Sequence, residues 1–176
     1  MKCLLIYLVI LSSMQNTVIF NFNKESDLKD WRIVDDVVMG GRSNGQFKMT
    51  ENGFGRFYGM ISLDNNGGFS SVRYAFDTKS SARFSKFVLR IKGDGKIYQF
   101  RVRSQRNQRH SYIYKFQTTG EWQTLEIPFA EMYASFRGYR LNIPNFGGDQ
   151  IEEIAFLIGN KKEESFDLRI AKITME

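Results

Sequence analysis

The sequence predicts an all-β domain built as a two-sheet sandwich, and three observations lead to this prediction. Apolar and polar residues alternate over several short segments, as they do in strands with one face in water. Glycine, asparagine and aspartate separate these segments, and only 2 of the 176 residues are proline. No segment carries a long apolar stripe at helical spacing. The 16 Phe and 8 Tyr residues suit pleated sheets that enclose a large core.

Residues 1–16 form an apolar segment that we predict to be a signal peptide. Met1-Lys2 precedes an apolar run over residues 3–11, which is shorter than the roughly 20 residues of a membrane-spanning helix. An apolar first strand over residues 4–11 is the alternative. A cleaved leader would place the protein in the periplasm or outside the cell; otherwise we expect it to be cytoplasmic or membrane-associated, without spanning the membrane. We expect residues 17–176 to form a single β-sandwich domain.

The first element of the body, residues 31–45, contains the pair Gly40-Gly41 and is predicted to be a structured turn. An Asn-Gly hairpin turn follows at residues 51–53, between strand patterns at 46–49 and 57–63. The glycine-rich break at residues 64–68 precedes the next strand pattern, and a single helical turn is predicted at residues 130–135. The remaining strands are predicted at residues 69–76, 84–92, 96–103, 111–117, 121–129, 151–158 and from Phe166 onward.

A basic patch is predicted from the clearest alternation. Arg101, Arg103 and Lys115 lie on the polar faces of two strands that we expect to form a hairpin. Arg90 and Lys92 are one predicted strand away and would join the patch if the strands are neighbours. The alternative is a solvated face. The net charge of +6 is consistent with an anionic partner, but no nucleic-acid-binding motif accompanies it, so we expect no nucleic acid.

Residues that could support catalysis are sparse. His110 is the only histidine, and the only cysteine, Cys3, lies in the predicted leader, so we expect no enzyme and no cofactor. Asp35 and Asp36 are adjacent and would point to opposite faces of a strand. We expect one of them to accept hydrogen bonds from the Gly40-Gly41 turn and the other to be in water.

Three further residues have two interpretations each. Asp94, between Gly93 and Gly95, is a weak calcium candidate, although a tight turn between two strands is the favoured interpretation. Trp31 and Trp122 could be platforms for sugar stacking, but packing in the core or at its rim is favoured.

Five sequence blocks resemble, in order and spacing, those of the complex I intermediate-associated protein family, which supplies an assembly factor for NADH:ubiquinone oxidoreductase. The blocks are residues 31–43, 57–59 with 66–73, 92–98, 120–123 with 127–129, and 136–138. The resemblance implies a galactose-binding-like jelly-roll sandwich. In eukaryotes it also implies a mitochondrial chaperone that helps to assemble respiratory complex I.

The function implied by the resemblance is therefore non-catalytic binding of a protein, such as an unfolded subunit or an assembly intermediate of the respiratory complex. The alternative is a carbohydrate-binding module of an exported protein, with a glycan as ligand. The candidate contact residues belong to two glycine-rich loops and to the basic face. They are Gly40, Gly41, Arg42, Ser43, Asn65, Asn66, Gly67, Gly68, Arg73, Arg101, Arg103 and Lys115.

Overall fold

The computed structural model describes residues 16–176, so both predictions for the N-terminal segment fall outside the described residues. The described chain forms thirteen strands and three short 3-10 turns, the turns at Asp36–Met39, Asp64–Asn66 and Phe129–Glu131. The strands are β1 (Thr17–Asn21), β2 (Trp31–Asp35), β3 (Asn44–Met49), β4 (Gly55–Ile61), β5 (Ser70–Ser80), β6 (Lys86–Lys92), β7 (Ile97–Arg103), β8 (Ser111–Gln117), β9 (Trp122–Pro128), β10 (Tyr133–Phe136), β11 (Tyr139–Arg140), β12 (Gln150–Ile158) and β13 (Glu164–Met175).

The strands make two antiparallel sheets that enclose one core. The six-stranded sheet has the order β3-β4-β13-β6-β9, with β1 also paired to β13, and the seven-stranded sheet has the order β11-β10-β8-β7-β12-β5-β2. Both sheets contribute fully buried aromatic residues, for example Phe57 and Phe87 from one and Phe100 and Phe156 from the other. The predicted two-sheet sandwich is therefore confirmed.

The alternation in the sequence corresponds to the faces of the strands. In β7 the side chains of Tyr98, Phe100 and Val102 are fully buried, as period-two patterning predicts. Strand β12, which is apolar at six of its nine positions, lies in the seven-stranded sheet between β5 and β7. This confirms the prediction of a central strand.

Two predictions for local elements are corrected. Residues Trp31–Asp35 form an edge strand and not part of a turn, because they pair with β5 and the buried Trp31 ring stacks on Tyr74 at a centroid distance of 4.8 Å. The turn begins only at Asp36, and it ends at Gly40, whose φ of +90° suits glycine. The predicted helical turn at residues 130–135 is a 3-10 turn at Phe129–Glu131, after which the chain enters β10.

The predicted single patch of five basic residues is also corrected. Strand β6 belongs to the six-stranded sheet, whereas β7 and β8 belong to the other sheet. Arg90 and Lys92 therefore do not join Arg101 and Arg103. The short connection between β6 and β7 passes from one sheet to the other instead of closing a hairpin.

Candidate functional site

Two glycine-rich loops meet around the buried carboxylate of Asp36. The first loop joins β2 to β3 (residues 36–43), and the second loop joins β4 to β5 (residues 62–69). This carboxylate accepts hydrogen bonds from the Ser43 backbone N–H at 3.0 Å, the Gly68 N–H at 2.6 Å and the Phe69 N–H at 3.1 Å. The Ser43 hydroxyl donates a fourth hydrogen bond. One side chain thus holds together two loops that are about 30 residues apart in sequence.

The glycines of these loops make room for that carboxylate. A Cβ atom at Gly41 would lie 2.3 Å from Asp36 Oδ1, and one at Gly67 would lie 2.7 Å from Oδ2. The Asn65 side chain donates a hydrogen bond of 3.0 Å to the Gly40 carbonyl. Burial alone would raise the pKa of Asp36, but its hydrogen bonds outweigh burial and the pKa lies below the usual value.

The prediction for the aspartate pair is confirmed in part for one residue and wrong for the other. Asp36 holds the turn, although its donors are Ser43, Gly68 and Phe69 rather than the Gly40-Gly41 amides. Asp35, which was predicted to be in water, is half-buried. Its carboxylate accepts hydrogen bonds from the Gly45 N–H at 2.9 Å and from the Ser70 hydroxyl.

Exposed groups remain at the rim of these loops. Arg42 and Asp64 form an ion pair at 3.5 Å, with most of each side chain in solvent. Asn66 is exposed at the end of the second loop. An exposed pair of this kind contributes little to stability.

The outer face of the seven-stranded sheet carries a second arrangement, the arginine cluster, which we define as Arg32, Arg73, Arg101, Arg103 and Glu153. Arg32 is opposite Arg73 in the β2–β5 pairing. Glu153 is opposite Arg103 in the β12–β7 pairing. The strand register therefore brings together residues that are up to 121 positions apart in sequence.

Three arginines of the cluster share one buried acid. Glu153 is 3% exposed, and its carboxylate lies 3.0 Å from Arg32, 3.7 Å from Arg73 and 3.5 Å from Arg103. Within residues 16–176, the guanidinium of Arg101 makes no ion pair or hydrogen bond. Four cations and one anion leave an excess of three positive charges.

Burial and mutual repulsion affect these cations. Burial lowers the pKa of Arg101 to about 10, and the charges of Arg73 and Arg103 act in the same direction. Burial also lowers the pKa of Arg73, although Glu153 opposes the change. Both side chains are still charged at neutral pH, and both would be stabilised by an additional anion.

A small pocket lies within the arginine cluster. Its volume is about 10 Å³, and its lining includes three arginines of the cluster together with small side chains: Arg73, Arg101, Arg103, Ser71, Ser111 and Ala155. Ala155 is opposite Arg73 on one side and Arg101 on the other, so its methyl group leaves space between the two guanidinium groups. Lys115 is exposed farther along the same face, opposite Gln99.

The structure thus brings together three of the predicted basic residues, Arg73, Arg101 and Arg103, and adds two that sequence reasoning missed. Arg32 was missed because residues 31–45 were interpreted as a turn. Glu153, together with Glu152, interrupts the apolar pattern of residues 151–158. A charge inside an otherwise buried strand was the available signal for that residue.

The remaining candidates are packed into the fold. The Asp94 carboxylate accepts hydrogen bonds from the Lys96 amine at 2.6 Å, the Tyr98 hydroxyl at 2.9 Å and the Asp167 N–H at 3.0 Å. Its geometry is that of the favoured interpretation, a tight turn between two strands. His110 lies in the predicted loop, and burial followed by the charge of Arg103 lowers its pKa.

Neither tryptophan presents a free platform. Trp31 is buried in the core, and Trp122 is half-buried with its ring centroid 4.6 Å from that of Phe54. The favoured interpretation, packing in the core or at its rim, is confirmed for both. Within the described part of the chain, no helix is long and apolar enough to cross a membrane.

Solved structures with the same architecture include carbohydrate-binding modules. The family 11 module of the cellulosomal cellulase Lic26A-Cel5E of Clostridium thermocellum aligns with a TM-score of 0.65 and 18% identity, over 93% of this chain and 95% of the module. A point mutant of the family 29 module CBM29-2 aligns with a TM-score of 0.54 and 11% identity, over 92% of this chain and 89% of the module. These similarities confirm the jelly-roll sandwich fold.

Sequence comparison identifies the family. The mouse protein named "Complex I intermediate-associated protein 30, mitochondrial" is 28% identical over 179 residues, which cover 89% of this chain. The chain spans about half of that relative, 55% of its length. The family model for complex I intermediate-associated protein 30 (CIA30) matches residues 20–170. The chain therefore belongs to the complex I intermediate-associated protein 30 family.

Proposed function

We propose that this chain is a non-catalytic protein-binding domain that takes part in complex I assembly, and that it contacts its partner through the arginine cluster. The observation that carries the proposal is the excess of three positive charges around the single carboxylate of Glu153. Charged faces of this kind give specificity and fast association with a partner of opposite charge. The name of the mouse relative supports an assembly role.

A binding role is also favoured by the contacts of three carboxylates in the fold. Asp36 and Asp94 each accept several hydrogen bonds from within the fold, and Glu153 is held by three arginines. A general base needs a carboxylate or imidazole that can reach a substrate proton. We therefore propose that the domain acts by binding and, like a chaperone, forms and breaks no covalent bond.

The proposed location follows from the partner. Assembly of complex I would require the protein in the compartment where that complex is built, as in the mitochondrial mouse relative. Export, with residues 1–16 as a signal peptide, is the alternative. Sequencing the N-terminus of the native protein from each cell fraction would distinguish the two.

The test of the function is a pull-down with charge-reversed variants. The double variant Arg101→Glu, Arg103→Glu should lose the complex I subunits that the wild type recovers from the native cell, as identified by mass spectrometry. The matched control is Arg90→Glu, Lys92→Glu, which makes the same charge change on the other sheet. Equal recovery of these subunits by both double variants would overturn the proposal, provided that melting curves show both to be folded.

Carbohydrate binding is the second candidate, and the similarity to family 11 and family 29 modules is the observation that favours it. One of the similar structures contains a β-1,3-1,4-mixed-linked tetrasaccharide. Sugars usually stack on aromatic rings, but Trp31 and Trp122 are engaged in packing. Titration with this tetrasaccharide, followed by tryptophan fluorescence, should give no saturable change; a saturable change would favour the sugar-binding function.

A further inference from the structure

We propose that the arginine cluster is a carboxylate-binding site whose occupant is an acidic side chain on a segment of a partner protein. The inference rests on the proposed function and specifies the chemistry of the partner. It commits to one contact, a salt bridge between Arg101 and the carboxylate of the partner. Arg73 completes the site on the other side of Ala155.

The first support is the unpaired charge. Three guanidinium groups share Glu153, whereas Arg101 has no acceptor among residues 16–176 and is repelled by its neighbours Arg73 and Arg103. A partly buried cation without a counter-ion is costly, and a bound anion would remove this cost. The cluster is therefore more stable with an additional negative charge.

The second support is the carboxylate that the cluster already holds. Glu153 places Oε2 at 3.0 Å from Arg32 and Oε1 within 3.7 Å of Arg73 and Arg103. Guanidinium groups match the planar carboxylate with parallel hydrogen bonds. Ala155 is the next outward-facing residue of β12 after Glu153, so a second carboxylate above its methyl group would repeat this arrangement between Arg73 and Arg101.

The third support is size. The pocket of about 10 Å³ has room for roughly one water-sized group, so it fits the end of a carboxylate and excludes a sugar ring. A larger cleft of about 650 Å³ begins at Arg32 and is also lined by Tyr74, Phe76, Lys79 and Arg106. Its lining also includes Lys29, Asp30 and Asp77, and Asp77 lies 3.8 Å from Arg106. Four cations thus exceed two acids, so this cleft can accept the chain that carries the acidic side chain and pair with a further acidic residue.

The test is fluorescence anisotropy with a labelled peptide of six consecutive glutamates, at constant ionic strength because exposed charges are screened by salt. The wild type should bind saturably. Arg101→Met, which keeps the aliphatic stem, should weaken binding on the order of tenfold to hundredfold, the loss expected for one charge-assisted hydrogen-bonding group. Arg90→Met removes the same charge from the other sheet and should bind like the wild type. No binding by the wild type, or equal affinity of the two variants, would overturn the proposal.

A melting curve separates a binding role from a structural one. Because Arg101 is repelled by its neighbours and has no internal partner among the described residues, Arg101→Met should melt at the same temperature as the wild type or higher. A large fall in melting temperature would show that Arg101 supports the fold and would contradict the proposal.

Inorganic phosphate should compete with the peptide less well than glutarate, since the pocket is small; stronger competition by phosphate would refute carboxylate selectivity.

The two proposals fail in different ways. In the first case, the Arg101→Glu, Arg103→Glu variant no longer recovers complex I subunits, but the glutamate peptide does not bind the wild type. The assembly function then stands and the carboxylate site is wrong. If the peptide binds through Arg101 while recovery of the subunits is unchanged, the carboxylate site stands and the proposed function of the face is wrong.

Discussion

Replacing Asp36 by asparagine should remove a large part of the stability of the fold. The substitution keeps the volume of the side chain but exchanges one acceptor oxygen for an amide that donates. Asparagine would keep its oxygen at the position of Oδ2, to which Gly68 and Phe69 donate at 2.6 and 3.1 Å, so its amide would replace Oδ1 and face the Ser43 N–H, which now donates at 3.0 Å. The N–H group of the buried Ser43 would thus lose its acceptor.

The magnitude follows from these contacts. A buried donor left without an acceptor costs about 1–3 kcal/mol, and the three hydrogen bonds that the Ser43 hydroxyl, Gly68 and Phe69 now donate to a charged oxygen would be weakened as well. We therefore expect the free energy of unfolding to fall by about 3–5 kcal/mol. With an m-value of about 2 kcal/mol/M, the urea midpoint would shift by about 2 M. Fluorescence of the buried Trp31 would report the transition.

The difference between wild type and Asp36→Asn should also depend on pH. The pKa of Asp36 is lowered in the folded state from a usual value of 3.8, so the carboxylate contributes its full stabilisation above that value. This contribution is lost as the pH falls through the lowered pKa, and asparagine has no such loss. The stability gap should therefore be constant near neutral pH and narrow below pH 3.8.

The control is Asp64→Asn, an exposed aspartate in the second loop whose only ion pair is with Arg42 at 3.5 Å within the described residues. It should change the free energy of unfolding by no more than about 1 kcal/mol. If Asp36→Asn and Asp64→Asn unfold at the same urea concentration, Asp36 does not hold the loops together as inferred.

Three further changes can be measured by the same unfolding assay. Gly41→Ala should lower the free energy of unfolding by about 2–3 kcal/mol, because its Cβ would lie 2.3 Å from the Asp36 carboxylate. The control Gly95→Ala, at a glycine with φ +81° and open space around it, should lower it by only about 1–2 kcal/mol. Equal losses in the two variants would contradict the steric argument. Phe100→Ala should cost about 3–5 kcal/mol, since its side chain is fully buried, and a loss below about 1 kcal/mol would mean that the core is packed differently. Asp94→Ala should cost about 2–3 kcal/mol through its three lost hydrogen bonds, and no loss would exclude a structural role for this turn.

The fold could be predicted from the sequence wherever one face of a strand is buried. Phe87, Leu89 and Ile91 alternate with polar or half-buried neighbours, and the structure buries all three completely. Strand β2 was missed because its five residues directly precede Asp36 and the Gly40-Gly41 pair, whose turn signal dominates the segment. Pairing with β5, which no local pattern reveals, makes these residues a strand.

The candidate site could be predicted only in part, because a surface patch depends on which strands are neighbours. Arg101 and Arg103 lie two residues apart on one strand, and side chains of a strand alternate between its faces, so the sequence is sufficient to place both on one face. Adding Arg73 and Glu153 requires the order β7-β12-β5, which is set by pairings between segments far apart in sequence. The same reasoning explains why Arg90 was wrongly included: its strand is adjacent in sequence but lies in the other sheet.

The carboxylate that holds the two loops together and the arginine cluster proposed to bind a partner have separate contacts in this molecule. Asp36 accepts hydrogen bonds from donors within its own loops, whereas Arg101 and Glu153 lie on the outer face of the seven-stranded sheet. The two parts should therefore respond oppositely to substitution. Asp36→Asn should lower stability while the folded fraction still binds the glutamate peptide with wild-type affinity. Arg101→Met should lower affinity without lowering stability. Loss of both properties in either variant would show that the loops and the arginine cluster act as one unit.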